Sequence, residues 1–144
     1  MTSPGEVTQP RLVVDTDVVS FVFKQHTRAD FFRPFFMGRT LAVSFMTVAE
    51  LYFGAYKGRW GARQMERLEY HLRNYVVVPY DHRLTQEWAR VRVEQQEKGR
   101  TMGHADAWIA ATARLHNCAL ATNNARDFMG IAGLVMLSPS MGET

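Results

Sequence analysis

Two acids, Asp15 and Asp17, stand one residue apart directly after the apolar run Leu12-Val13-Val14. Such a run reads as a buried parallel strand that delivers carboxylates to its C-terminal end, where open α/β sheets bind their ligands. Carboxylates this close repel each other, and a shared proton or a bound cation relieves the repulsion. Oxygen ligands of this kind suit magnesium or manganese. A plainer reading has Asp17 capping the next helix and Asp15 merely ending a strand. Three more polar residues occupy comparable places. Glu50 follows a second apolar run, 41–44, and two readings compete for it. In Thr47-Val48-Ala49-Glu50 it completes a capping box and bonds back to the Thr47 amide; alternatively it opens the helix with its carboxylate toward Asp15. Asp106 shares a helical face with Ile109, Ala110 and Ala113, and an acid on an apolar face is costly unless paired or metal-bound. Its place in a first turn, where acids favour the helix dipole, is the structural counter-reading. Asn124 lies just past the apolar run 118–121.

The elements that must position these groups alternate along the chain. Strands are expected at 12–14, 41–44, 76–78, 118–121 and 134–137. Helices are expected at 18–24, at 29–37 with an interruption at Pro34, at 50–58, at 62–74, from about Leu84 to a stop at Gly99, and from Asp106 to Asn117. Alternation of this kind implies an α/β three-layer sandwich, a parallel sheet of about five strands with helices on both faces. One domain over 11–138 is expected, between a flexible N-terminal arm at 1–10 and a C-terminal tail at 139–144. Phe31, Phe32, Phe35 and Phe36 are too many aromatics for one helical face to hide; they form either a wide core contact or a surface for a partner chain.

Composition narrows the function classes. The 144 residues are 47% hydrophobic and 22% charged, ordinary for a globular domain, and the net charge of +3 permits an anionic partner without requiring one. Almost all the basic residues are Arg, the better bidentate phosphate ligand. Cys118 is the only cysteine, so no internal disulfide forms and a reducing, cytoplasmic setting is expected. No apolar run has the length of a membrane span, and the N-terminus lacks the pattern of a signal peptide. The five histidines are scattered without zinc spacing, and there is no phosphate-binding glycine loop.

Asp15 with Asp17, Glu50, Asp106 and Asn124 are distant in sequence, yet all fall at strand ends or helix starts that one parallel sheet brings to its C-terminal edge. A carboxylate cluster there suits two-metal hydrolysis of a phosphodiester. Four segments, VVDTDVVSF at 13–21, SFMTVAELYFGA at 44–55, GHADAWIAATA at 103–113 and ATNNARDF at 121–128, resemble in order the PIN-domain ribonucleases, and most closely the VapC-type toxins of toxin-antitoxin modules. The resemblance implies a PIN fold, Mg2+- or Mn2+-dependent endoribonuclease activity, a homodimer, and inhibition by a cognate VapB-type antitoxin. It also assigns Asp15, Glu50 and Asp106 to the family's acidic catalytic and metal positions, with Thr16 as the hydroxyl residue beside the first acid. Two departures stand out. Asp17 replaces a frequent Asn, and Asn124 stands where some members carry a fourth acid, which implies a weaker metal ligand there. Asp127, three residues on, is read as the cap of the last short helix rather than as a substitute.

Two other functions fit parts of the pattern. Asp15-Thr16-Asp17-Val18-Val19 also matches the phosphatases of the haloacid dehalogenase type, in which Asp15 would be the nucleophile. A catalytically silent RNA- or protein-binding PIN module would explain Asn124 but not the intact acids.

Overall fold

The computed structural model describes residues 10–139; the expected arm and tail lie outside them, apart from Pro10 and Pro139. Five parallel strands, β1 (Arg11–Val14), β2 (Thr40–Ser44), β3 (Val76–Val78), β4 (Ala119–Ala121) and β5 (Met136–Leu137), form one sheet in the order β3-β2-β1-β4-β5. β1 is central because its three apolar residues are covered on both faces. Leu12 and Val14 join Val43, Ala119 and Ala121 in one core, and Val13 joins Ala42 and Leu120 in the other. The period-2 alternation of strand side chains thus divides a single run between two apolar layers.

Helices close both layers. On one side lie α1 (Thr16–Phe23), α2 (Arg33–Phe36), α3 (Phe45–Lys57) and α4 (Ala62–Leu72), which contribute Val18, Val19, Phe35, Leu51 and Leu72. On the other lie α5 (His82–Glu97) and α6 (His104–Leu115), which contribute Leu84, Val91, Ile109 and Ala110. α6 carries Asp106, and its angle to α5 is fixed by Arg114. The Arg114 guanidinium donates to Glu94 at 2.8 and 2.9 Å and to Glu87 at 3.2 and 3.3 Å.

Local starts differ from expectation, α5 and α6 by two residues each at His82 and His104, and three further places show why. α1 begins two residues early because the Asp15 carboxylate itself caps it, accepting from the Thr16 amide at 2.8 Å; Asp17 lies inside the first turn. α3 begins at Phe45 because Ser44, at the very end of β2, caps it by accepting from the Met46 amide at 3.0 Å. Thr47 therefore lies inside α3, so the Thr47–Glu50 capping box does not form, and Glu50 sits well into the helix rather than opening it. Pro34 does not interrupt one helix but starts another: a 3-10 turn at Thr27–Phe31 precedes α2, with Pro34 in the first turn of α2. The four phenylalanines all join one core, as the wide-contact reading expects. Phe32 and Phe35 are buried, while Phe31 and Phe36 are only half-buried. Among the described residues no helix is long and apolar enough to cross a membrane.

Candidate active site

The C-terminal edge of the sheet gathers every acid singled out above. Asp15 ends β1 and is only 6% exposed. Its Oδ1 accepts from the Thr16 amide at 2.8 Å and its Oδ2 from the Thr122 hydroxyl at 2.7 Å. Burial, reinforced by the neighbouring Asp17 charge, pushes its pKa up to about 8. Hydrogen bonds from Thr122 and Thr16 oppose the rise without cancelling it.

Glu50 reaches this edge from α3 through Thr16. The Thr16 hydroxyl donates to Glu50 Oε1 at 2.7 Å and lies 3.0 Å from Thr47 Oγ1. The first turn of α1 and the first turns of α3 are thereby tied together, and Glu50 is fixed beside the end of β1. One and a half turns of helix, rather than a cap, carry its carboxylate there.

Asp106 enters from the first turn of α6. Burial raises its pKa to about 6, with Asp127, Glu50 and Asp17 adding repulsion in that order. Asp106 and Asp127 line one cavity of about 310 Å3 with Gln95, Arg100 and Arg126. Asp127 is therefore not a cap, as the sequence had suggested. The cap position of the 3-10 turn Ala125–Phe128 belongs to Asn124, and three residues per turn bring Asp127 back toward the acids.

Asn124 faces the cluster through its side-chain amide. Its Nδ2 donates to Asp17 Oδ2 at 2.9 Å, and its amide donates to Thr122 Oγ1 at 3.0 Å. The contact from its Nδ2 steadies Asp17. Asp17 Oδ1 is buried without a hydrogen-bond partner among the described residues, and burial, with Asp127 among the causes, raises the Asp17 pKa.

Thr122, Thr47 and Asp127 are the site residues that sequence reasoning undervalued. For Thr122 the available signal was a hydroxyl placed directly after a buried strand. For Asp127 it was the three-residue step from Asn124.

Among the described residues no three His, Cys, Asp or Glu side chains close around one point as a finished metal cage. The donors nevertheless fit a small hard cation that keeps several of its waters. Asp15, Asp17 and Asp106 have raised proton affinity, Asp17 carries an orphaned oxygen, and among the described residues no Lys or Arg forms a salt bridge with Asp15, Asp17, Glu50, Asp106 or Asp127. One consequence is testable at Asn124. Asn124→Asp replaces the donor facing Asp17 with a like charge, so the metal-free protein should lose about 1 to 2 kcal/mol. Magnesium should restore much of the loss by binding the folded state. Melting curves of both proteins with EDTA and with magnesium check this; superimposed curves in EDTA would contradict the contact.

Comparison with known proteins agrees with this architecture. The model of the PIN domain family matches residues 12–134. Ribonuclease VapC2 of Haemophilus influenzae is 29% identical over 124 residues, spanning 86% of this chain and 94% of that protein. The tRNA(fMet)-specific endonuclease VapC of Shigella flexneri is 27% identical over 124 residues, with the same two coverages. The crystal structure of DNA-bound VapBC from Salmonella typhimurium superimposes with a TM-score of 0.79 at 26% identity, covering 90% of this chain and 98% of that one.

Proposed function

This chain belongs to the PIN-domain family, with VapC ribonucleases among its relatives, and from that premise we propose that it is a metal-dependent endoribonuclease, the toxin of a type II toxin-antitoxin pair, hydrolysing RNA phosphodiester bonds. The observation that carries this reading is the meeting of Asp15, Asp17, Glu50, Asp106 and Asp127 at one sheet edge. Asp15 and Asp106 would hold magnesium or manganese, with Glu50 and Asp127 beside them and Asn124 acting through Asp17. A bound ion supplies an acidified water and neutralises charge on the phosphate.

The chain's own groups prepare that chemistry. Thr122 and the Thr16 amide hold both Asp15 oxygens in fixed directions, which saves reorganisation when the substrate arrives. The Thr16 hydroxyl occupies Glu50 Oε1 and so turns the carboxylate, leaving Oε2 to accept the proton of an attacking water. Arg126 and Arg100 on the rim of the adjoining cavity offer positive charge to the RNA backbone. The Shigella flexneri relative's name makes transfer RNA the first substrate to assay.

A VapB-type antitoxin is the proposed partner, supported by the likeness to the Salmonella typhimurium VapBC structure and by unclaimed apolar surface. Phe53, Tyr56 and Met37 are exposed, and a cleft of about 610 Å3 between α1 and α4 is lined by Phe23, Arg67, Tyr70 and His71. A homodimer is proposed as the toxin's assembly. Phosphatase chemistry is disfavoured by the PIN domain family match, which spans residues 12–134. The test is incubation of purified protein with transfer RNA. Magnesium should support cutting and EDTA should stop it; turnover of phosphate esters instead would favour the phosphatase.

A further inference from the structure

The aromatic residues outside the acid cluster are not scattered. Tyr80, Phe45, Trp108, Trp88 and His104 form one continuous row, with successive ring centroids 6.3, 5.2, 5.1 and 5.6 Å apart. The topology puts this row on the same edge as the acids. Phe45 directly follows the C-terminal end of β2, and Tyr80 lies two residues past the end of β3. His104 begins α6 two residues before Asp106. In the strand order β3-β2-β1-β4-β5, the acids occupy the rim above β1 and β4, and the row continues that rim outward over β2 and β3.

Packing fixes the middle of the row and leaves its ends open. Phe45, Trp88 and Trp108 rest on the α5/α6 core, the two indoles are stacked at 25°, and Trp88 Nε1 donates to the His104 carbonyl at 3.2 Å. Tyr80 is 67% exposed and His104 is also exposed. The Arg92 guanidinium lies 5.3 Å over the Trp88 ring and backs the row from the protein side, its Nη1 buried without an acceptor among the described residues. An exposed ring such as Tyr80, held by a rigid row of packed aromatics, is the chemistry by which proteins hold unpaired nucleotides: each base offers a π-face to stack on it.

We propose that this row is a stacking platform for unpaired bases of the RNA, so that nucleotides on one side of the scissile phosphate lie on Tyr80 and its neighbours while the phosphate sits on the acids. The inference rests on the ribonuclease reading. It adds a substrate feature: a single-stranded segment next to the cut, held by base stacking and largely indifferent to base identity.

The test uses the full chain in EDTA, where RNA is bound and not cut. A Trp60→Phe background leaves Trp88 and Trp108 as the only indoles, and their fluorescence is titrated with oligoadenylate and with an abasic ribose-phosphate chain of equal length. Oligoadenylate should quench the indoles and bind about tenfold more tightly than the abasic chain. Tyr80→Ala, a change at an exposed position, should remove much of that advantage while leaving abasic binding unchanged. Equal affinity for the two polymers would overturn the proposal. So would sedimentation showing a dimer that Tyr80→Ala converts to monomer, since a second copy would then cover the row. Neither failure touches the nuclease reading, which the magnesium and EDTA assay decides separately.

Discussion

Asp106→Asn protein is expected to cut RNA on the order of a thousandfold more slowly than the parent while remaining folded. A carboxylate that helps hold a catalytic cation is responsible for several kcal/mol of transition-state stabilisation, and each 1.36 kcal/mol is a factor of ten in rate. The substitution conserves volume, so the packing of α6 against α5 is undisturbed. In the absence of metal, stability should hold or rise, because Asp106 is crowded by the charges of Asp127, Glu50 and Asp17 and the neutral amide removes that repulsion. Single-turnover cleavage, together with melting curves in EDTA, separates the two effects. Undiminished cleavage by a preparation free of contaminating nuclease would sink the metal-site reading. Lost cleavage accompanied by lost folding would show that Asp106 is structural.

Without metal, the protein should lose stability as pH rises from about 4 to about 8, opposite to the usual behaviour of salt-bridged carboxylates. Asp15 supplies the sign. In the folded state burial and the Asp17 charge place its pKa at about 8, against an ordinary 3.8. Between those values the folded protein retains a proton that the unfolded chain has released, so each step up in pH favours unfolding. Asp106, raised to about 6, adds to the lower half of the window. Glu94 acts in the other direction, since its hydrogen bonds to Arg114 lower its pKa; its stabilisation is lost as pH falls below the ordinary carboxylate range, outside most of this window. The expected fall in Tm between pH 5 and pH 8 is on the order of 10 °C. Magnesium should abolish it, because the cation takes the place of the proton. Thermal melts in EDTA at several pH values, repeated with Asp15→Asn, provide the check. The substituted protein should show a much flatter profile, and an unchanged slope would mean that other groups set the pH dependence.

Much of this molecule is legible in its sequence, and the reason is the hydrophobic effect acting on short runs. Leu12-Val13-Val14, the apolar segment ending at Ser44 and the segment ending at Ala121 can each be buried on both faces only as inner strands of a covered sheet, whereas Val76-Val77-Val78 takes an edge, where Val76 and Val77 are exposed. Their alternation with amphipathic helices then leaves few topologies besides a parallel sandwich. A parallel sheet also sends every strand's C-terminal end to the same edge. Asp15 and Asp106 were therefore legible as candidates that meet.

What the tertiary structure decided are the places where two local signals competed or where a contact spans the chain. Ser44 and Thr47 are both good caps, and Ser44 prevails because β2 pairs with β3 as far as Ser44 and Val78, so the helix starts directly at the strand's end. That choice moves Glu50 from the helix start into the helix, where the Thr16 hydroxyl, 34 residues away in sequence, takes hold of it. Thr122 and Asn124 find Asp15 and Asp17 across 107 residues, because β1 and β4 are neighbours in the sheet. Asp127 joins the acids because a 3-10 turn, rather than an α-helix opened by Asp127, follows Asn124. Periodicity in the sequence reports which face a residue occupies; which distant group meets it on that face is fixed by strand neighbours and the point at which each helix begins, and those are settled only when the layers pack.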